Sequence, residues 1–354
     1  MKKRVVFFLP TLNGGGAERV SVNIMRQLDI QIYDIHLILV QKVGEYLELV
    51  PKYVEIHNLE SKKTLYSILK LRKTIKSLQP DIIYSTLYRS HIVLFFSLFF
   101  IRDRYKTIFR MPNSPKLIIQ NHEISNTTKW LLDIALKSAT RVIAQTPQMR
   151  EEIAQYHFVK RDKIEVIINP LDREFIEQSI QNSSSPFDTS YINVIASGRL
   201  THQKGYDILI KAFKEVYRSN PRFRLFIIGG DYANERQKYE KLVDELSLNL
   251  VVNFLGFQKN PYIYYYHSDL FVMASRWEGL PNTILENLYL EKPIVATNCI
   301  PFMKKLIDHG KNGFLVEVEN PSMLAKAILE YQSLPKRGNR AMFEQEDINK
   351  KFNI

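Results

Sequence analysis

Cysteine is almost missing from this 354-residue chain, which has only Cys299. That excludes an internal disulfide and any metal site built on several thiolates, and it makes a reducing compartment the expected setting. The apolar run Ile92 to Ile101 is too short to span a bilayer, which takes about 20 residues. Low-complexity tracts are missing as well, and Gly and Pro are few, so disorder is excluded as the main theme. His202, His267 and the other histidines show no metal-ligand spacing along the chain and read as surface or loop residues, so no metal is expected. No helix-turn-helix, zinc-finger or RNA-binding pattern accompanies the basic residues, which argues against nucleic acid as a partner. The start, Met1 to Arg4 followed by Val5 to Leu9, imitates a secretory leader, but the apolar stretch is short and is interrupted by Pro10, Asn13 and three glycines. It reads as a buried first strand.

The length exceeds one ordinary core and suits two domains of about 175 residues. A formal net charge of +12 is unevenly spread: residues 1–180 hold 27 Lys/Arg against 18 Asp/Glu, and the remainder 22 against 19. Residues 61–106 carry ten Lys/Arg and only Asp81 and Asp103, beside the run Ile92 to Ile101. Two readings stay open for that region: a buried helix with a solvated basic flank, or a surface attracted to an anionic membrane.

Short β-rich apolar runs alternate with segments of helical period, which predicts parallel βαβ units. In the first half the strands fall at Arg4 to Leu9, His36 to Val40, Ile82 to Ser85, Thr107 to Arg110, Arg141 to Ala144 and Ile164 to Ile168. The polar, proline-stopped stretch Gln181 to Pro186 reads as a linker, so the expected domains are residues 1–182 and 183–354. The rhythm then restarts with strands at Ile192 to Ala196, Arg224 to Ile228, Val251 to Leu255, Leu270 to Ala274 and Ile294 to Thr297. The fold class expected is α/β, with two Rossmann-like doubly wound domains.

Three segments carry chemistry. Pro10 to Arg19 follows the first strand and contains Gly14, Gly15 and Gly16. Contiguous glycines let backbone amides approach an anion at a helix start, but the spacing is neither the dinucleotide GxGxxG nor a Walker loop. In the second half, Gly198 to Gly205 delivers Arg199 and Lys204 from the loop after a strand. A planar fork of donors beside a movable point charge suits a diphosphate. Further on, Glu278 and Glu286 bracket Gly279, Leu280 and Pro281. A helix starting at Pro281 leaves Glu278 on a loop and puts Glu286 in the helix, so the two carboxylates reach different parts of one extended ligand.

In this order, the Gly-rich start, the Gly-Arg-x4-Lys-Gly loop and the Glu-x7-Glu element resemble the group 1 family of retaining glycosyltransferases. The segment Asn169-Pro170-Leu171-Asp172 is similar to that family's hinge element, and the likeness runs from Val5 to about Leu329. The resemblance implies the GT-B architecture, two Rossmann-like domains facing across a cleft. It implies that Arg199 and Lys204 bind the donor diphosphate, that Glu286 holds the ribose hydroxyls, and that Glu278 lies near the transferred sugar with the amides of Gly279 and Leu280. It further implies that Gly15 and Gly16 close over the phosphates from the first domain, and that no metal and no cofactor beyond a UDP- or GDP-sugar co-substrate is needed.

Three features depart from the family pattern. The region after the fourth expected strand reads Phe109 to Asn113 where many members have a histidine, the loop Ile300 to Lys305 lacks the usual glycines and glutamate, and Met342 to Ile354 allows only a short, polar closing helix. The activity implied is sugar transfer with retention to a carbohydrate or lipid-linked glycan acceptor, in bacterial surface polysaccharide or glycolipid synthesis. It would take place in the cytoplasm, peripherally at the inner face of the membrane. Acceptor contacts are expected from Thr86, Arg89, Arg110 and Asn113, which follow strands. Two other readings are a non-catalytic GT-B partner subunit, motivated by the altered Ile300 to Lys305 loop, and a sugar-nucleotide epimerase. The epimerase would need converging acid–base groups that the sequence does not supply.

Overall fold

The computed structural model describes residues 2–334 and 348–352. They form two compact units, residues 2–172 with 348–352 and residues 173–334. The first unit holds a seven-stranded sheet: β1 Lys3–Leu9, β2 Tyr33–Leu39, β3 Glu55–Asn58, β4 Ile82–Thr86, β5 Lys106–Arg110, β6 Arg141–Ala144 and β7 Ile164–Val166. Its order is β3-β2-β1-β4-β5-β6-β7 and every pairing is parallel. Helices cover both faces, so β1 is apolar throughout its inner length: Val6 and Phe8 enter one core while Val5, Phe7 and Leu9 enter the other.

The second unit repeats the plan with β8 Ile192–Ser197, β9 Phe223–Ile228, β10 Val252–Gly256, β11 Leu270–Met273, β12 Ile294–Thr297 and β13 Gly313–Val316, in the order β10-β9-β8-β11-β12-β13. In each unit the strand order reverses beside the first strand, since β1 pairs with both β2 and β4 and β8 with both β9 and β11. Ligands of such sheets bind outside the carboxyl ends at this switch point. The two strands not foreseen, β3 and β13, are short and lie at sheet edges, where little apolar patterning is required.

The division falls at Asp172, ten residues before the boundary expected at 182. Asn169 to Asp172 is stitched to the first unit: Asn23 Nδ2 donates to Pro170 O (3.1 Å), Gln27 Nε2 to Leu171 O (3.0 Å), and Arg26 pairs with Asp172. The helix Arg173–Ile180 instead packs in the second unit, with Phe175 edge-on to Tyr262 at 6.0 Å and Tyr289 Oη donating to Glu177 at 2.5 Å.

The helix Ile348–Phe352 belongs to the first unit. It is short, as expected, but its contact is apolar, because Phe352 is buried against Phe7 and Tyr84 with ring separations of 6.2 and 5.8 Å. The rest of the expected closing segment, residues 342–347 and 353–354, lies outside the described residues.

Candidate active site

The loops at the carboxyl ends of β8 and β11 are locked together. At Gly205 the backbone has φ +64°, and a Cβ there would meet Ala274 O at 2.1 Å, so only glycine lets this loop lie on the end of β11. Arg276 N donates to Gln203 O (2.8 Å) and Gln203 Nε2 to Trp277 O (2.8 Å). The Arg276 guanidinium reaches His202 O at 2.7 Å and grips Asp207 with two bonds of 2.9 and 2.8 Å. Burial pushes the Asp207 carboxyl up, but hydrogen bonding and the charge of Arg276 outweigh it and hold the group below the usual carboxylate range. Tyr206 Oη donates to Gly198 O at 2.8 Å and fixes the start of the loop.

Within this frame Lys204 Nζ donates to Glu278 Oε1 at 2.5 Å, and Ser275 Oγ donates to the same oxygen at 2.7 Å. The side chains are 19% and 7% exposed, so the pair is shielded while the ammonium keeps access to solvent. Lysine has three donors, and one is committed to Glu278. Arg199, on the same loop, is exposed and makes no ion pair or side-chain hydrogen bond among the described residues.

Gly279 and Leu280 are buried ahead of the helix Asn282–Tyr289, and Glu286 lies inside that helix as expected. Glu286 is 6% exposed and accepts a hydrogen bond from Tyr262 Oη at 3.3 Å. A buried carboxylate is costly without a role or partners, which sets Glu286 apart from ordinary helical surface acids. Tyr262 and Tyr265 are buried, and the Tyr262 hydroxyl additionally positions Glu286, a role that a run of tyrosines does not advertise.

Arg276 and Asp207 were also missed as positioning residues. Their signal was the arginine between Ser275 and Glu278 facing an acid in the first turn of the helix Tyr206–Ser219. Cys299 joins the neighbourhood too: burial, and then the charge of Glu278, raise its thiol above the ordinary range. In the Ile300 to Lys305 loop, Ile300 and Met303 are buried while Lys304 and Lys305 are exposed.

In the first unit Gly15 is buried and heads the helix Gly16–Gln27, while Gly16 is exposed. The Gly14 amide donates to Glu45 Oε2 at 3.0 Å. The four acceptor candidates divide. Arg89 is exposed and Asn113 half-buried, but Thr86 and Arg110 are interior. Thr86 Oγ1 donates to Arg110 O at 3.3 Å, and the Arg110 guanidinium donates to Asn169 Oδ1, so both hold strand ends rather than offering side chains to a ligand.

The histidines likewise correct the expectation of surface residues, since His36, His91 and His157 are all buried. His91 bridges Ser85 Oγ and Arg110 O at 3.2 Å each and stacks on Phe109 at 4.6 Å, and burial pushes it down to about 3, so it stays neutral. A cavity of about 690 Å³ lined by residues including Lys3, Asp81, Arg102, Arg104 and Lys106 opens at the amino ends of β1, β4 and β5, the end remote from the switch point.

Two parallel doubly wound α/β units in tandem, the second presenting this cationic and acidic loop pair, define a protein of the GT-B class. Residues 177–346 match the family model described as "Glycosyl transferases group 1", and residues 14–175 match "Glycosyltransferase Family 4". The chain belongs to the group 1 family of glycosyltransferases and is a transferase of sugars.

It is 29% identical over 325 residues to a glycosyltransferase of Methanocaldococcus jannaschii, covering 82% of this chain and 78% of that one. Against the N-acetylgalactosamine-N,N'-diacetylbacillosaminyl-diphospho-undecaprenol 4-alpha-N-acetylgalactosaminyltransferase of Campylobacter jejuni it is 26% identical, covering 94% and 92%. The structure of HepE from Anabaena, solved with UDP and glucose, superposes with a TM-score of 0.80 at 20% identity, covering 98% of this chain and 97% of that one. No helix among the described residues is long and apolar enough to cross a membrane.

Proposed function

We propose that the protein transfers a sugar from a UDP- or GDP-sugar to a carbohydrate or lipid-linked glycan acceptor, with retention at the anomeric carbon, in bacterial surface polysaccharide or glycolipid synthesis. The observation that carries this reading is the shielded Lys204–Glu278 pair beside exposed Arg199, at the carboxyl ends of the switch-point strands. Arg199 and Lys204 offset charge on the departing nucleoside diphosphate, Glu278 faces the sugar, and Glu286 holds the ribose.

The bond from the anomeric carbon to the diphosphate oxygen breaks. The acceptor oxygen bonds to that carbon on the same face, and its proton passes to a diphosphate oxygen. No metal or cofactor enters this scheme. The UDP bound by HepE supports the donor class, and the undecaprenol-linked substrate in the name of the C. jejuni relative supports a lipid-linked acceptor. Arg89 and Asn113 remain the acceptor candidates on the first domain. The shielded Lys204–Glu278 pair and the buried Glu286 carboxylate favour this reading over a non-catalytic partner subunit.

The test is a thermal-shift screen with UDP-, GDP- and ADP-sugars. A ligand at 100 times its Kd stabilises the folded state by about 2.7 kcal/mol. A rise with one nucleotide class names the base, and NMR of the product reads its anomeric configuration. No rise with any of the three would leave the partner-subunit reading in its place.

The same reading puts the protein at the inner face of the cell membrane. The run Ile92 to Ile101 is divided: Ile92, Val93, Leu94 and Leu98 are buried, while Phe99 and Phe100 project, the latter 88% exposed. Leu65, Tyr66 and Leu69 are also exposed, Leu69 at 79%, on the adjoining segment joined through Arg72 Nη1 to Phe99 O (3.0 Å) and Ser97 Oγ to Ile68 O (3.1 Å). Exposed Lys62, Lys63, Lys73, Arg102 and Arg104 flank these apolar side chains. Apolar insertion and cations together suit anionic lipid, at about 1 kcal/mol per cation. Flotation with phosphatidylglycerol vesicles is expected to recover the protein, and a Phe99→Ser/Phe100→Ser variant to bind at least tenfold more weakly. Equal recovery on neutral vesicles would remove the anionic preference, and none on either would remove the membrane claim.

A further inference from the structure

We infer that the outer edge of the first sheet binds one zinc-class divalent ion through His36, Glu55 and His57. Strands β2 and β3 are parallel in the register His36 opposite Glu55 and Ile38 opposite His57. Alternation then puts His36, Glu55 and His57 on one face of the sheet. Their ligand atoms converge: His36 Nδ1 lies 3.0 Å from His57 Nε2 and 3.5 Å from Glu55 Oε2, and Glu55 Oε1 lies 3.6 Å from His57 Nε2. Among the described residues this is the group of His, Cys, Asp and Glu close enough to share an ion. Metal bonds of about 2.0–2.1 Å in a tetrahedron give ligand–ligand edges of roughly 3.3–3.4 Å, within the span of these three separations.

A second set of contacts orients the first. Asp34, two residues before His36 on the same face, places Oδ2 at 3.1 Å from His36 Nε2, and Arg4 Nε on β1 donates to that oxygen at 2.7 Å. The carboxylate fixes the proton on His36 Nε2 and turns the Nδ1 lone pair toward the cluster, the arrangement that supports a metal-ligating imidazole. Without an ion, His57 Nε2–H donates to that lone pair. When the ion enters, His57 carries its proton on Nδ1 instead, and both facing nitrogens ligate without a net change in protonation.

His36 is buried and His57 half-buried, while the Glu55 side chain is 66% exposed, so the fourth position opens to water and gives an entry path. Two imidazoles and a carboxylate suit zinc. The ion would tie β3, a four-residue edge strand held by β2 alone, to the sheet. This site is separate from the loops of the second unit and does not depend on the function proposed above.

The test uses the full-length chain without a histidine tag, stripped with chelator and titrated with Zn²⁺ and with Co²⁺. One equivalent of zinc is expected to survive gel filtration and to raise the melting midpoint, and Co²⁺ is expected to give the intense visible absorption of a tetrahedral site. His57→Asn should weaken zinc at least 100-fold and Glu55→Gln about tenfold. Glu55→Gln replaces an exposed side chain, so its metal-free melting midpoint should match wild type, whereas His57→Asn also loses the bond to His36 and should melt lower without metal. The readout in both is the zinc-induced increment, abolished in His57→Asn and reduced in Glu55→Gln. Failure to take up one equivalent, or uptake indifferent to both substitutions, would overturn the site.

Discussion

Lys204→Met is expected to lower kcat/KM about 1000-fold, roughly 4 kcal/mol of transition-state stabilisation, against about 30-fold for Arg199→Met. The ranking follows from burial. Both cations come from one loop, but the Lys204 side chain is shielded beside Glu278 while Arg199 is exposed. A charge screened by protein rather than water acts on a departing diphosphate through a lower effective dielectric, and salt attenuates it less. Steady-state kinetics at fixed ionic strength read the ranking directly, and an Arg199 effect larger than that of Lys204 would refute it.

Stability has to be separated from chemistry here. Losing the ammonium leaves the Glu278 carboxylate buried with Ser275 as its remaining hydrogen-bond donor, at a cost of about 2–3 kcal/mol. Adding Glu278→Gln to Lys204→Met removes that stranded charge. The double variant should recover most of the melting midpoint and none of the rate. If rate returned with stability, Lys204 would be a structural partner of Glu278 and no more.

The sequence read most fully where one physical constraint acted alone. Strands buried on both faces need consecutive apolar residues, so β1, β4, β6, β8 and β11 stood out by composition. Edge strand β3, Glu-Ile-His-Asn, has one apolar residue and borrows its order from β2, which a local pattern cannot register. The donor loops were legible because their charges fall at fixed offsets between glycines.

What bonds to those charges was not legible. That Lys204 meets Glu278, that Tyr262 serves Glu286, and that Arg276 clamps Asp207 are contacts across 24 to 74 residues of chain. The acceptor candidates failed in part for a related reason. Position after a strand was treated as exposure, yet Thr86 and Arg110 complete the hydrogen bonding of the strand ends themselves. The expectation of surface histidines fails for the same cause, since His36 meets His57 across two strands rather than along one.

Glu286→Gln separates nucleotide binding from sugar binding. If the buried carboxylate grips ribose hydroxyls, the amide keeps the shape and can still accept from Tyr262 Oη, but loses charge-assisted hydrogen bonds worth about 1.5–3 kcal/mol. Donor Kd should then rise about 10- to 100-fold. The rise should be the same for the free nucleoside diphosphate as for the sugar nucleotide, because the ribose is common to both. Glu278→Gln, facing the sugar, should weaken the sugar nucleotide alone.

Calorimetric titration of both ligands on both variants yields four numbers, and a 2′-deoxyribose donor closes the cycle. Against that analogue the Glu286→Gln penalty should shrink, since one of the hydroxyls the carboxylate grips is already gone. A penalty undiminished by the deoxy analogue would mean that Glu286 acts through the packing of its helix on β12 and not through the donor.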